Sequence, residues 1–114
     1  MYRGEVWLIN LDPTIGAEIR KTRPAVIVND DAIGILPLKV IVPITDWKDR
    51  YDMAPWMVRL EPTAGNGLNK ISAADAFQVR SVAQKRISRR LGKLTGNSMQ
   101  EITTALSAVL SMEL

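Results

Sequence analysis

The sequence predicts a mainly β fold: a small, strongly bent barrel or sheet with one C-terminal amphipathic helix packed against it. Three observations predict it. Short runs rich in β-branched and aromatic residues recur between Pro, Gly and Asn turn signals. Two of those runs are apolar at every pleat position, which marks strands covered on both faces. Helical spacing appears only once, at the end of the chain. A chain of 114 residues supports one core, so one domain over residues 1–114 and one site are expected.

In chain order, Tyr2 to Asn10 reads as a strand, and Leu11-Asp12-Pro13-Thr14-Ile15-Gly16 opens a long loop. Pro24 to Val28 and Leu38 to Ile44 are the doubly covered strands and belong at the centre of the sheet. Trp56 to Glu61 alternates late in its run, so it is a half-exposed strand, entered from the loop Thr45 to Pro55 with Trp56 in the core. Gly65-Asn66-Gly67 is a turn. Lys70 to Ala74 is a short strand, Ala76 to Val82 a further extended stretch, and Arg80 to Lys93 a basic segment. Met99, Ile102, Leu106, Val109 and Leu110 form the apolar stripe of the helix, with Ser98 and Glu101 as its capping box.

Composition narrows the chemistry. The chain has no Cys and no His. Disulfides, thiolate nucleophiles, His-based triads and ordinary zinc or copper sites are therefore excluded, and no cofactor or metal is expected. Arg, Lys, Asp, Glu, Thr, Ser and Tyr remain. A net charge of +3 favours a polyanionic partner if the cations cluster. No apolar run reaches the roughly 20 residues that cross a bilayer, and the opening MYRGEVWLIN lacks a signal-peptide layout. A cytoplasmic protein with no membrane partner is expected.

Four constellations carry candidate chemistry. Gly16 to Pro24 concentrates Arg20, Lys21 and Arg23 with Glu18 before a buried strand, as either an anion site or a solvated, salt-bridged loop. Pro24 biases Arg23 toward extended geometry and limits where its guanidinium can point. Val42-Pro43-Ile44-Thr45-Asp46 brings a hydroxyl and a carboxylate to the rim. Thr45 reaches the same edge as Arg23 if those two strands pair antiparallel. The loop Asp46 to Trp56 interleaves Lys48 and Arg50 with Trp47, Tyr51 and Trp56, a pattern suited to stacking single-stranded bases. Arg80, Lys85, Arg86, Arg89, Arg90 and Lys93 follow one another without an acid. They fit phosphate contact, a dock for an acidic peptide, or a solvated edge.

These residues resemble the MazF/PemK (Kid) family of toxin endoribonucleases. Arg3-Gly4-Glu5-Val6-Trp7-Leu8, Leu11-Asp12-Pro13-Thr14, Gly16, Glu18 and Thr22-Arg23-Pro24-Ala25-Val26-Ile27-Val28 are similar to its N-terminal signature in order and spacing. Val42-Pro43-Ile44-Thr45 is similar to the second block and Gln78-Val79-Arg80-Ser81 to the third. Gly92 and a terminal helix continue the likeness to the end of the chain. The resemblance implies an SH3-like barrel of the MazF/CcdB type and a homodimer with RNA in grooves by its interface. It also implies metal-independent, sequence-selective cleavage of single-stranded RNA, and an antitoxin with an acidic C-terminal segment. On its alignment Arg23 and Thr45 are catalytic, Glu18 is a general base in some members, and Arg80 is a basic position near the groove. Several members carry an acid just before the Gln of the third block, where this chain has Phe77. Asp75, two residues earlier and on the same pleat face of a regular strand, is the expected substitute.

The mechanism expected from that likeness is attack of a ribose 2′-hydroxyl on the adjacent phosphorus, leaving a cyclic phosphate and a 5′-hydroxyl. Arg23 and Thr45 would stabilise the developing charge, Glu18 would accept the proton, and Lys21, Arg20, Lys48, Arg50, Tyr51, Asp75, Gln78 and Arg80 would contact RNA. The alternatives are a catalytically inactive relative that binds nucleic acid or antitoxin, and a CcdB-like gyrase poison. The last does not share the Arg23 and Thr45 blocks.

Overall fold

The computed structural model describes residues 1–33 and 36–113. The elements are β1 (Glu5–Asn10), β2 (Thr22–Ile27), β3 (Leu38–Asp46), β4 (Met57–Leu60), β5 (Ser72–Asp75), β6 (Arg80–Ala83), β7 (Ile87–Lys93) and α1 (Gly96–Leu110). Single 3₁₀ turns cover Asp31–Ile33, Asp49–Met53, Ala76–Gln78 and Gln84–Arg86. The strands form one seven-stranded antiparallel sheet in the order β4-β5-β3-β2-β1-β7, with β6 also on β3. On the side away from β2, β3 pairs first with β6 through Leu38 to Ile41 and then with β5 through Ile44 to Asp46. This change of partner bends the sheet into a barrel-like shape. Among the described residues, β4 and β7 each have one neighbour, so the barrel stays open.

The reading of β2 and β3 as doubly covered strands holds, and alternation explains how. On one face Val26, Val42 and Ile44 join Val6, Val58, Leu60 and Leu68 beneath Ile102 and Ala105 of α1. On the other, Ala25, Ile27 and Ile41 join Ile9, Leu11, Val82 and Ile87, with Ile19 of the 11–21 loop packed over them. A loop and a helix thus cover opposite faces of the same two strands.

Several boundaries differ from the sequence reading, each for a local reason. Gly4, at φ +90°, turns the chain and delays β1 to Glu5. Ala76 to Val82 is not uniformly extended, because Asp75 accepts a hydrogen bond from the Phe77 N–H and tightens Ala76–Gln78 into a 3₁₀ turn. The basic segment supplies β7, whose Ser88-Arg89-Arg90 run hides its alternation because it is an edge strand with one solvated face. Thr95, rather than Ser98, caps α1: its hydroxyl accepts from the Ser98 N–H. Leu110 lies outside the stripe and is exposed, while Ala105 and Ser107 are buried. Trp56 is not core; it is 38% exposed just before β4.

Glu5 ties the N-terminus to β7. Its carboxylate accepts from the Tyr2 N–H at 2.7 Å and the Trp7 indole at 3.2 Å, and it pairs with Arg90 Nε at 3.0 Å. Burial pushes its pKa up. The Tyr2 and Trp7 bonds, the terminal ammonium and Arg90 together outweigh burial and hold it below 4.5. A lowered folded-state pKa stabilises the protein above the unfolded value, and that stability is lost as pH falls through the folded value. Glu5→Gln is therefore expected to lower Tm near neutral pH and to flatten the acid limb below 4.5, as read by thermal melts across that range.

Candidate active site

The β2–β3 register pairs Ala25 with Pro43 and Ile27 with Ile41. Continued by two residues, it sets Arg23 opposite Thr45. Arg23 is also opposite Ile9, Thr45 is opposite Ala73, and Ala73 is opposite Arg59. Directly opposed residues share a sheet face. Ile9, Arg23, Thr45, Ala73 and Arg59 therefore form one row across five strands, with one arginine on each side of a hydroxyl and Ala73 between Thr45 and Arg59.

Arg23 and Thr45 line an open cleft of about 450 Å³ at the sheet edge, with Lys21, Asp46, Asn69, Lys70 and Arg89 on its walls. Four cations face one acid there. Lys70 Nζ pairs with Asp46 at 3.1 Å, an exposed contact that water weakens. Arg23 is half-buried, and its Nε donates to the Arg20 carbonyl at 3.2 Å. Among the described residues neither of its terminal nitrogens has a protein partner, so both remain available to an anion. Pre-aimed donors of this kind stabilise charge that builds up during a reaction.

The rest of the 11–21 loop is pinned. Arg80 Nη1 donates to the Leu11 carbonyl at 3.1 Å, and Arg86 donates to the Asn10 and Asp12 carbonyls. Lys21 lies in the left-handed region at φ +71° and donates its N–H to Asp12 at 3.1 Å. Gln78 holds the loop from the other side. Its Oε1 accepts from the Ile19 N–H at 2.6 Å, and its Nε2 donates to the Ala17 carbonyl and to Asp75 Oδ2, each at 3.2 Å.

The structure brings Lys21 into the cleft with Arg23 and Thr45, but not Glu18. Glu18 lines a second cleft of about 530 Å³, with Phe77, Gln78 and Arg80, and its Oε1 accepts from the Ile15 N–H at 2.8 Å. Asp75 does not share a pleat face with Phe77, because the strand ends at Asp75 and the turn begins. The Asp75 carboxyl is 5% exposed, whereas Phe77 is 66% exposed and packs edge-on to Trp56 at 6.1 Å. Burial pushes the Asp75 pKa above 3.8, against the bonds from Phe77 and Gln78. Arg20 is exposed and offers its carbonyl to Arg23. Exposed Lys48 precedes the Asp49–Met53 turn, in which the Arg50 guanidinium lies 5.4 Å from the Tyr51 ring centre. Tyr51 meets Trp47 edge-on at 5.8 Å.

Sequence reading missed Arg59, Asn69 and Lys70, and left Arg89 undifferentiated within its basic run. Arg59 lies over Trp47, 5.4 Å from the ring centre. The alternation Met57 to Leu60 showed that Arg59 leaves the core face. Only the β3–β5–β4 register shows that it joins the row of Thr45. Among the described residues no group of three or more acidic side chains is arranged to hold a metal ion.

The model of the PemK-like, MazF-like toxins of type II toxin-antitoxin systems matches residues 2–110. The chain belongs to that family. Within the PemK/MazF toxins it is 31% identical to endoribonuclease MazF9 of Mycobacterium tuberculosis, over 98% of this chain and 98% of that one. It is 34% identical to endoribonuclease PemK of Escherichia coli, over 97% of this chain and 83% of the relative. A solved endoribonuclease in complex with its cognate antitoxin, from a mycobacterial species, has the same fold. It superposes with a TM-score of 0.79 at 22% identity, covering 100% of this chain and 98% of that one. The PemK/MazF fold therefore underlies the Arg23–Thr45 row.

Proposed function

We propose that the protein is the toxin of a type II toxin-antitoxin pair and a metal-independent endoribonuclease that cleaves single-stranded RNA in the Arg23–Thr45 cleft. The observation that carries this reading is the pairing of Arg23 with Thr45 on one sheet face, inside a cationic cleft, with Arg59 further along the same row outside it and paired with Glu61 at 2.9 Å. Membership of the toxin family and the endoribonuclease names of its relatives support it. The 2′-oxygen attacks phosphorus, the bond to the 5′-oxygen breaks, and a 2′,3′-cyclic phosphate and a 5′-hydroxyl result. Arg23 neutralises the charge gathering on the non-bridging oxygens and Thr45 donates a hydrogen bond to them. A guanidinium does not give up its proton in a protein, so the leaving oxygen takes its proton from solvent. Glu18 is the proposed acceptor of the 2′-hydroxyl proton by way of solvent, because the held Ala17–Ile19 segment keeps its carboxylate in the neighbouring cleft.

Lys21, Arg20, Lys48, Arg50 and Tyr51 border the path of the strand as phosphate and base contacts, and Arg59 joins them. Asp75, Gln78 and Arg80 shape the loop that forms the other wall. A homodimer, an antitoxin with an acidic C-terminal segment and a cytoplasmic location complete the proposal. The relative solved with its cognate antitoxin supports the partner.

A mixed-sequence single-stranded RNA is expected to be cut and its duplex to resist. Arg59→Ala is expected to raise KM about tenfold with kcat within about twofold, because a phosphate cation that binds ground and transition states alike acts on binding alone. Exposed Phe77, at the position where the family resemblance leads one to expect an acid in several members, favours one other reading: an inactive relative that binds RNA without cutting it. Binding without cleavage would select that reading.

A further inference from the structure

We propose that Asp75 and Gln78 are positioning residues, forming a buried clamp that holds the Ala17–Ile19 segment and through it fixes where the Arg23 guanidinium points. The connections are continuous. Asp75 Oδ1 accepts from the Phe77 N–H at 3.1 Å and closes the turn that carries Gln78. Asp75 Oδ2 accepts from Gln78 Nε2 at 3.2 Å. The same Nε2 donates to the Ala17 carbonyl, and Gln78 Oε1 accepts from the Ile19 N–H at 2.6 Å, the shorter of the two bonds to the loop. One residue beyond Ile19, the Arg20 carbonyl takes the bond from Arg23 Nε.

Each amide atom of Gln78 is committed. An amide has one oxygen acceptor and two N–H donors, and here the oxygen holds Ile19 while the two N–H groups hold Ala17 and Asp75. Gln78 therefore cannot flip without losing Ile19. Only an acceptor at position 75 keeps its orientation, which a carboxylate supplies. The clamp is buried on the Asp75 side, and Ile19 itself rests on the core beneath the loop. Neither side chain needs to touch RNA, so the clamp fills a different role from the contact expected of these residues. Arg80 and Arg86 pin the start of the loop at residues 10–12, and Lys21 is tied back to Leu11 and Asp12, which leaves the Ala17–Ile19 segment between them to Gln78.

The inference rests on the nuclease reading only for its catalytic consequence. Hydrogen exchange at the Ile19 amide tests the clamp with or without activity. Asp75→Asn keeps the shape and the bond to Phe77 but presents a donor to a donor at Gln78. It is expected to speed Ile19 exchange about tenfold and to lower kcat about tenfold, with KM within about twofold, since a misplaced catalytic group costs the chemical step. Asp75→Asn combined with Gln78→Glu restores a bond between positions 75 and 78 but loses the donor to the Ala17 carbonyl, so it is expected to recover only part of both losses. If Asp75→Asn fails to fold, Gln78→Met, which keeps volume and removes all three bonds, is expected to show the same pair of changes. Unchanged Ile19 exchange in either variant would overturn the clamp, and a fall in kcat without faster exchange would instead assign Asp75 a direct chemical role. RNA left intact by the parent protein would defeat the nuclease reading and leave the exchange result to decide the clamp.

Discussion

Arg23→Ala is expected to lower the rate of RNA cleavage by about 10²–10³-fold, the usual cost of losing one donor aimed at transition-state charge. Stability should change little, because the half-buried side chain makes one hydrogen bond, to an exposed loop carbonyl. Initial rates on a fixed single-stranded RNA, read beside circular-dichroism melts, separate the two effects. Arg23→Lys is expected to recover only a minor part. A lysine presents one point charge, whereas the guanidinium binds Arg20 through Nε and leaves a planar pair of terminal nitrogens for two phosphate oxygens. A loss in kcat rather than KM identifies an interaction made chiefly in the transition state. A fall of less than about threefold would remove Arg23 from the chemistry and leave the cationic cleft as a binding surface.

Gly67→Ala is expected to cost about 2–5 kcal/mol, combining overpacking with the strain of a side chain in a left-handed backbone. Gly67 sits at φ +72°, and a Cβ there would lie 2.7 Å from the carbonyl carbon of Leu91 and closer still to its oxygen. Gly92 is the reciprocal case: a Cβ would lie 2.6 Å from the Asn66 carbonyl carbon and nearer yet to the Gly65 oxygen. Both obstacles are backbone, so relief requires parting β7 from the 65–67 turn and breaking the bond from the Lys93 N–H to the Gly65 carbonyl at 2.8 Å. Gly92→Ala, without the positive φ, is expected to cost less than Gly67→Ala. Gly96→Ala has nothing within 4 Å and is the control, expected to stay within about 0.5 kcal/mol. Urea midpoints at constant m measure all three. Because Asn69 and Lys70 follow directly on this turn, folded fractions of the Gly67 variant are also expected to cut RNA slowly.

The contrast between legible and illegible parts of this fold has a physical pattern. Where burial was complete, the sequence spoke clearly: Ala25 to Ile27 and Ile41 to Ile44 are apolar because both faces are covered. The stripe through Met99, Ile102, Leu106 and Val109 likewise reports one face of α1. Edge elements were obscure, since Ser88-Arg89-Arg90 can form a strand without any apolar alternation. The Asp75–Phe77 pleat argument failed because a carboxylate that caps a turn looks, in sequence, like one that points from a strand. Arg23 and Thr45 were legible as a pair, through family likeness and through the antiparallel geometry of two neighbouring strands. Arg59 required a register through β5, which no local pattern carries. Glu18 was joined to Arg23 by family likeness and by their shared loop, whereas the pinned loop puts its side chain in another cleft.

The most direct test of the central claim is the chemistry of the product ends. The protein is incubated with mixed-sequence single-stranded RNA in excess EDTA, beside Arg23→Ala, and both ends of each new break are mapped. Breaks made by the parent protein alone, bearing 2′,3′-cyclic phosphates and 5′-hydroxyls, are the predicted result. RNA that stays intact, or breaks that bear 5′-phosphates or persist at the parent rate in Arg23→Ala, would contradict the account.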